Sequence, residues 1–116
     1  MIDVKQLLEA FDNDWDLIKE LVALCQIKVP EYISLIGKAV ADKDFHKLEH
    51  HAHTLKGSIA HFNNAKMYDL SYQLEVHGRE KNPADIEKIF ADLQSANKAF
   101  EADMKELAIK AEKRVA

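Results

Sequence analysis

The chain has 116 residues, with 16 Lys and Arg against 20 Asp and Glu, and carries a formal charge of -4 when its six histidines are neutral. That length accommodates one domain, residues 1–116, around a single core. Hydrophobic residues at 47% and charged residues at 31% exclude a disordered tail or a collagen-like repeat, and a mildly acidic chain without a basic face argues against a nucleic-acid partner. Cys25 is the only cysteine, so no internal disulfide can form and nothing points to an oxidising compartment. The longest unbroken apolar stretch, Leu21 to Cys25, falls far short of the roughly 20 residues of a membrane span. Met1-Ile2-Asp3-Val4 has neither the basic region nor the apolar core of a signal peptide. A cytoplasmic protein is expected.

Three Gly, two Pro and no β-branched run of period two predict an all-α fold. Val4, Leu7, Leu8 and Phe11 mark a short first helix; Ile18, Leu21, Val22, Cys25, Val29, Ile33, Ile36 and Val40 mark a long second one. Asp14 is positioned to cap the second, and Pro30 within it should kink the helix rather than split it, because apolar spacing continues from Val29 to Ile33. Phe45, Leu48, Ala52, Leu55, Ile59 and Phe62 follow behind Asp44 as cap; Met67, Leu70 and Leu74 follow behind Asn64, with Asn63 and Asn64 suited to a tight left-handed corner. Asn82-Pro83 reads as a cap before a proline at the first helical position of the last segment, where Ile86, Ile89, Phe90, Leu93, Phe100, Met104 and Leu107 form the stripe. Residues 112–116 are expected to fray. Four long helices on short connections pack most simply as an antiparallel up-down four-helix bundle, with the additional N-terminal helix capping one end.

Five of the six histidines fall between His46 and His61. At about 100° per residue, His46, His50, His53 and Gly57 project on the side away from Phe45, Ala52, Leu55 and Ile59, and should face solvent. A glycine inside a helix costs about 1 kcal/mol relative to alanine, and the apolar pattern continues past Gly57. Close approach of another backbone or a ligand is the usual reason for such a gap. An imidazole in water, with a pKa of about 6.5, is mostly neutral at pH 7 and keeps one nitrogen lone pair free. On this face that nitrogen can attack phosphorus, while Lys56 offers positive charge to the phosphoryl oxygens.

Ala52-His53-Thr54-Leu55-Lys56-Gly57-Ser58 resembles the signature of histidine-containing phosphotransfer (HPt) domains of two-component phosphorelays, His-x-Leu-Lys-Gly-Ser. The similarity extends to Met67, Ser71, Leu74 and Glu75 in the next segment and to the order of five helices with a proline in the second. The resemblance implies a phosphocarrier without ATP binding or autokinase activity, phosphorylated on His53. Its partners would be response-regulator receiver domains and a sensor or hybrid histidine kinase, with no cofactor of its own and Mg²⁺ supplied by the receiver. It further implies that Lys56 holds the phosphoryl group, that Glu75 accepts a hydrogen bond from the imidazole, and that Gly57, His50, Ala60 and Asn64 lie where a receiver docks. Leu8, Phe11 or Trp15 would add apolar docking surface. The chain departs from the family in having Asn63 where glycine is common, and Ile59-Ala60-His61-Phe62 in place of small residues; His61 then puts a bulky group near the docking face. A monomer is expected, since a domain that must expose one helix face has no need of self-association.

Other readings of the same residues compete. The spacing of His46, His50 and His53 also suits metal ligands on one helix face, and the same face could serve a non-catalytic helical adaptor. His46 and His50 otherwise read as solvated bystanders, Cys25, Met67 and Met104 as core, and Trp15 as an edge packer. Glu75, taken without its spacing from His53, reads as an ordinary surface acid, and Glu101, Asp103, Glu106 and Lys110 as a solvated face with i,i+4 pairing.

Overall fold

The computed structural model describes residues 3–115, all of whose regular elements are helices: α1 (Val4–Ala10), α2 (Trp15–Asp42), α3 (Phe45–Ile59) with a 3-10 turn at Ala60–Phe62, α4 (Ala65–Glu80) and α5 (Ile86–Val115). The side chain of Val115 and residues Met1, Ile2 and Ala116 lie outside that description, so the expectations for the first residues and for the end of the chain fall partly outside it.

Local chemistry sets most helix starts. The carboxylates of Asp14 and Asp44 accept from the amides of Leu17 and Lys47 at 3.0 and 3.1 Å, and the Asn64 amide oxygen accepts from Met67 N–H at 3.1 Å. Each bond satisfies one of the donors that a helix N-terminus leaves without a partner. Asp3 caps α1 in the same way through Gln6. Asn63 takes the left-handed conformation, φ 54°, as the corner requires.

The last helix starts later than its sequence suggests. Asn82 Oδ1 accepts from Ala84 N–H, only two residues along, and Asp85 is left-handed at φ 59°. Pro83 therefore sits in a turn and α5 begins at Ile86. At the other end, α5 runs on through Val115, and Lys19 on α2 meets Glu112 at 2.7 Å. Pro30 lies on the exposed side of α2, which continues unbroken past it, so the missing amide interrupts one backbone bond without dividing the helix.

Helix α2 packs on α3 and α5, and α4 on α3 and α5, closing a bundle with extents of 47 × 20 × 19 Å. Its core takes Ile18, Val22, Val29, Ile36 and Val40 from α2, Leu48, Ala52, Leu55 and Ile59 from α3, Met67 and Leu74 from α4, and Leu93, Phe100, Met104 and Leu107 from α5. Each fully buried Leu or Ile contributes about 1.5–3 kcal/mol. Helix α1 inserts Leu7, and the half-buried Leu8, Phe11 and Trp15 pack on the same core. Cys25 is buried as expected; burial pushes its thiol up to about 11. Among the described residues no helix is long and apolar enough to cross a membrane.

Candidate functional site

The site is assembled from α3 and α4. Because Ala52, Leu55 and Ile59 are drawn into the core, the opposite face of α3 carries His46, His50, His53 and Gly57, all exposed. His53 is the most informative of these: its side chain is 68% exposed, yet Nδ1 lies 3.2 Å from Glu75 Oε1. An ionised carboxylate can only accept, so in the neutral ring this contact favours the proton on Nδ1 and leaves the Nε2 lone pair free.

Glu75 is not the surface acid that it resembles in isolation. Its side chain is 5% exposed and holds three basic groups, His53 and Lys56 on Oε1 at 3.2 and 2.8 Å and Arg79 on Oε2 at 2.7 Å. Burial works to raise the Glu75 pKa, but the hydrogen bonds from Lys56 and His53, together with their charges, outweigh it and hold the carboxyl below its ordinary range. Arg79 also donates through Nε to Glu49 Oε2 at 3.1 Å. One guanidinium thus joins α4 to the turn of α3 that precedes His53.

Lys56, expected from the sequence to stand beside His53 with its positive charge, is drawn toward Glu75. Its side chain is only 16% exposed. Besides Glu75, its ammonium stands 5.0 Å from the centre of the Tyr72 ring and 5.9 Å from that of Tyr68, within cation–π range.

Two glycines behave in opposite ways. A Cβ added to Gly57 would meet nothing within 4 Å, so among the described residues nothing packs into the gap. At Gly78 it would lie 2.6 Å from Glu49 N and 2.8 Å from Phe45 O, which are backbone atoms of α3. This contact brings α4 against α3 one turn from Glu75 and sets the distance across which Glu75 reaches His53.

The remaining candidates divide. His50 lines a shallow cleft with His46, Glu49, His53, Glu75 and Arg79, whereas Ala60 and Asn64 line a separate hollow at the α3–α4 corner with Tyr68. His61 sits near α1, its ring 5.8 Å from that of Phe11. The metal alternative finds no support: among the described residues no group of three or more His, Cys, Asp or Glu is placed to hold an ion. Sequence reasoning missed Glu49, Gly78 and Arg79. A signal was present, because Ser71, Glu75 and Gly78 share the stripe of Leu74 at helical spacing, which marks an acid on a buried face.

A family model for the Hpt domain matches residues 20–112, and the chain belongs to the Hpt family, the phosphocarrier modules of two-component signalling. The family's partners are response-regulator receivers and histidine kinases. Comparison with curated proteins and with solved structures gave no match.

Proposed function

We propose that the chain acts as one phosphotransfer module, a cytoplasmic monomer built as an antiparallel up-down bundle, which accepts a phosphoryl group on His53 from a receiver aspartate or a kinase and passes it to a receiver. The observation that carries this reading is the couple of an exposed His53 with the buried Glu75 carboxylate, one turn from the open space over Gly57. The Nε2 lone pair attacks phosphorus as the bond from phosphorus to the aspartyl oxygen breaks; the electron pair leaves with the carboxylate. Nδ1 keeps its proton, so the ring becomes a phosphorylated imidazolium and no base has to remove anything. The reverse step regenerates the neutral ring.

Glu75 contributes twice, by fixing the tautomer beforehand and by facing the positive charge that appears on transfer. As the ring gains charge its bond to Oε1 strengthens. Lys56, sharing that oxygen at 2.8 Å, swings on its flexible stem to the phosphoryl oxygens. Gly57 admits the receiver, with His50, Ala60 and Asn64 around it, and the receiver brings Mg²⁺. Helix α1 and the exposed Leu24 of α2 extend the docking face past His61.

Intact mass and acid lability after mixing with phosphorylated receiver domains test the reading. Wild type gains one acid-labile phosphate. His53→Gln gains none while unfolding within about 0.5 kcal/mol of wild type, as suits an exposed substitution. A variant still phosphorylated, or a wild type inert to a broad panel of active receivers, overturns it.

A further inference from the structure

Arg79 bridges two carboxylates, Glu75 and Glu49, and so grips the acid on which His53 depends. Glu75 Oε1 serves two donors at once, Lys56 at 2.8 Å and His53 at 3.2 Å. The lysine is the closer of the two, so by itself it would draw the carboxylate round to its own side. Arg79 Nη2 occupies Oε2 at 2.7 Å, while Nε of the same guanidinium is fixed to Glu49 Oε2 at 3.1 Å. A planar fork held at two points orients what it binds. Glu49 lies one turn before His53 on the same helix, and the backbone contact of Gly78 with Glu49 brings Arg79 within reach of it. The guanidinium therefore references the Glu75 carboxylate to the helix that carries the histidine.

We propose that Arg79 is a positioning residue for phosphotransfer: clamped by Glu49, it holds Glu75 so that Oε1 faces His53 Nδ1, and so sets which ring nitrogen is free to react. This rests on the reading of His53 as phosphoacceptor, but the ring itself reports on it without any transfer reaction. The partners of metal-bound histidines show the same logic, where a group acting through hydrogen bonds to the ring changes activity by about 10–100-fold.

The test measures His53 ring-nitrogen shifts by ¹⁵N NMR and, separately, the rate of phosphoryl transfer from a phosphorylated receiver domain. Arg79→Ala should shift the ring away from the Nδ1–H form toward the mixture of free histidine and slow transfer by about 10-fold. Arg79→Lys, which keeps the charge but cannot hold both carboxylates, should fail nearly as badly, and Glu49→Ala should move both readouts the same way by a smaller factor. In a Glu75→Ala background Arg79→Ala should add nothing further. Because the buried Glu75 carboxylate loses a partner, these variants should melt somewhat earlier than wild type while remaining folded, which thermal denaturation checks separately from the ring shift. An unchanged tautomer in Arg79→Ala overturns the proposal, and so does a transfer defect that persists undiminished without Glu75, which would make Arg79 a direct ligand of the phosphoryl group. Were wild type never phosphorylated, the reading of function would fall, while the NMR result would still decide the role of Arg79.

Discussion

Replacing Gly78 by alanine puts the link between helix packing and site geometry to the test. The new Cβ would stand 2.6 Å from Glu49 N, 2.8 Å from Phe45 O and 2.9 Å from Glu49 Cα, roughly 0.9 Å inside ordinary contact. These are backbone atoms, so no side chain can rotate away and the two helices must separate. Alanine gains up to about 1 kcal/mol in helix propensity, whereas overpacking of this kind costs about 1–3 kcal/mol. The net expectation is a loss of about 1 kcal/mol, or roughly 4 °C in melting temperature. The same separation would carry His53 Nδ1 from 3.2 Å to nearly 4 Å from Glu75, beyond a hydrogen bond. Gly57→Ala is the control, because its Cβ meets open space and should raise stability by up to about 1 kcal/mol. Thermal denaturation by circular dichroism gives both signs, and NMR of the His53 ring reports the coupling to Glu75. A Gly78→Ala protein as stable as Gly57→Ala, with its ring tautomer unmoved, would refute the claim that this crossing sets the site.

Two further outcomes follow from the same geometry. Gly57→Leu should leave the fold intact but block transfer, since its side chain would occupy the approach over α3; unimpaired transfer would show that no partner uses that space. Glu75, held below the ordinary carboxylate value of 4.5, contributes stability that is fully present above that value and is lost as pH falls through the lower folded one. Glu75→Gln should therefore flatten the acid side of the stability curve below about pH 4.5, measured by urea unfolding at a series of pH values; an identical acid limb in the variant would contradict the assignment.

Helix positions were legible where the deciding chemistry is local. Asp14, Asp44 and Asn64 each sit three residues before the amide that they accept from, so the cap is written in adjacent sequence. Asn82 failed as a guide because its side chain can equally close a two-residue turn, and the left-handed Asp85 then resets the start of α5. The exposed stripe of α3 was readable from periodicity for the same local reason. Burial of Glu75 was not: it depends on three basic groups from two helices, and a single carboxylate in sequence does not announce its partners. Lys56 was recognisable as a site residue, but not its tethering to Glu75 and the two tyrosines, nor the bridge from Arg79 to Glu49, which spans 30 positions in the chain.

Every group that handles the phosphoryl chemistry in this reading, from Glu49 through His53 and Lys56 to Arg79, lies on the contiguous α3–α4 hairpin, residues 45–80. The long α2 and α5 pack on the hairpin and on each other without lending a side chain to the His53–Glu75 couple. The His53–Glu75 couple is thereby separable along the chain from the part of the proposed docking face that α1 and α2 supply. In the proposed reading part of the docking face, α1 and Leu24 of α2, lies outside the hairpin, so substitutions there would alter which receiver docks while the nucleophile stays as it was.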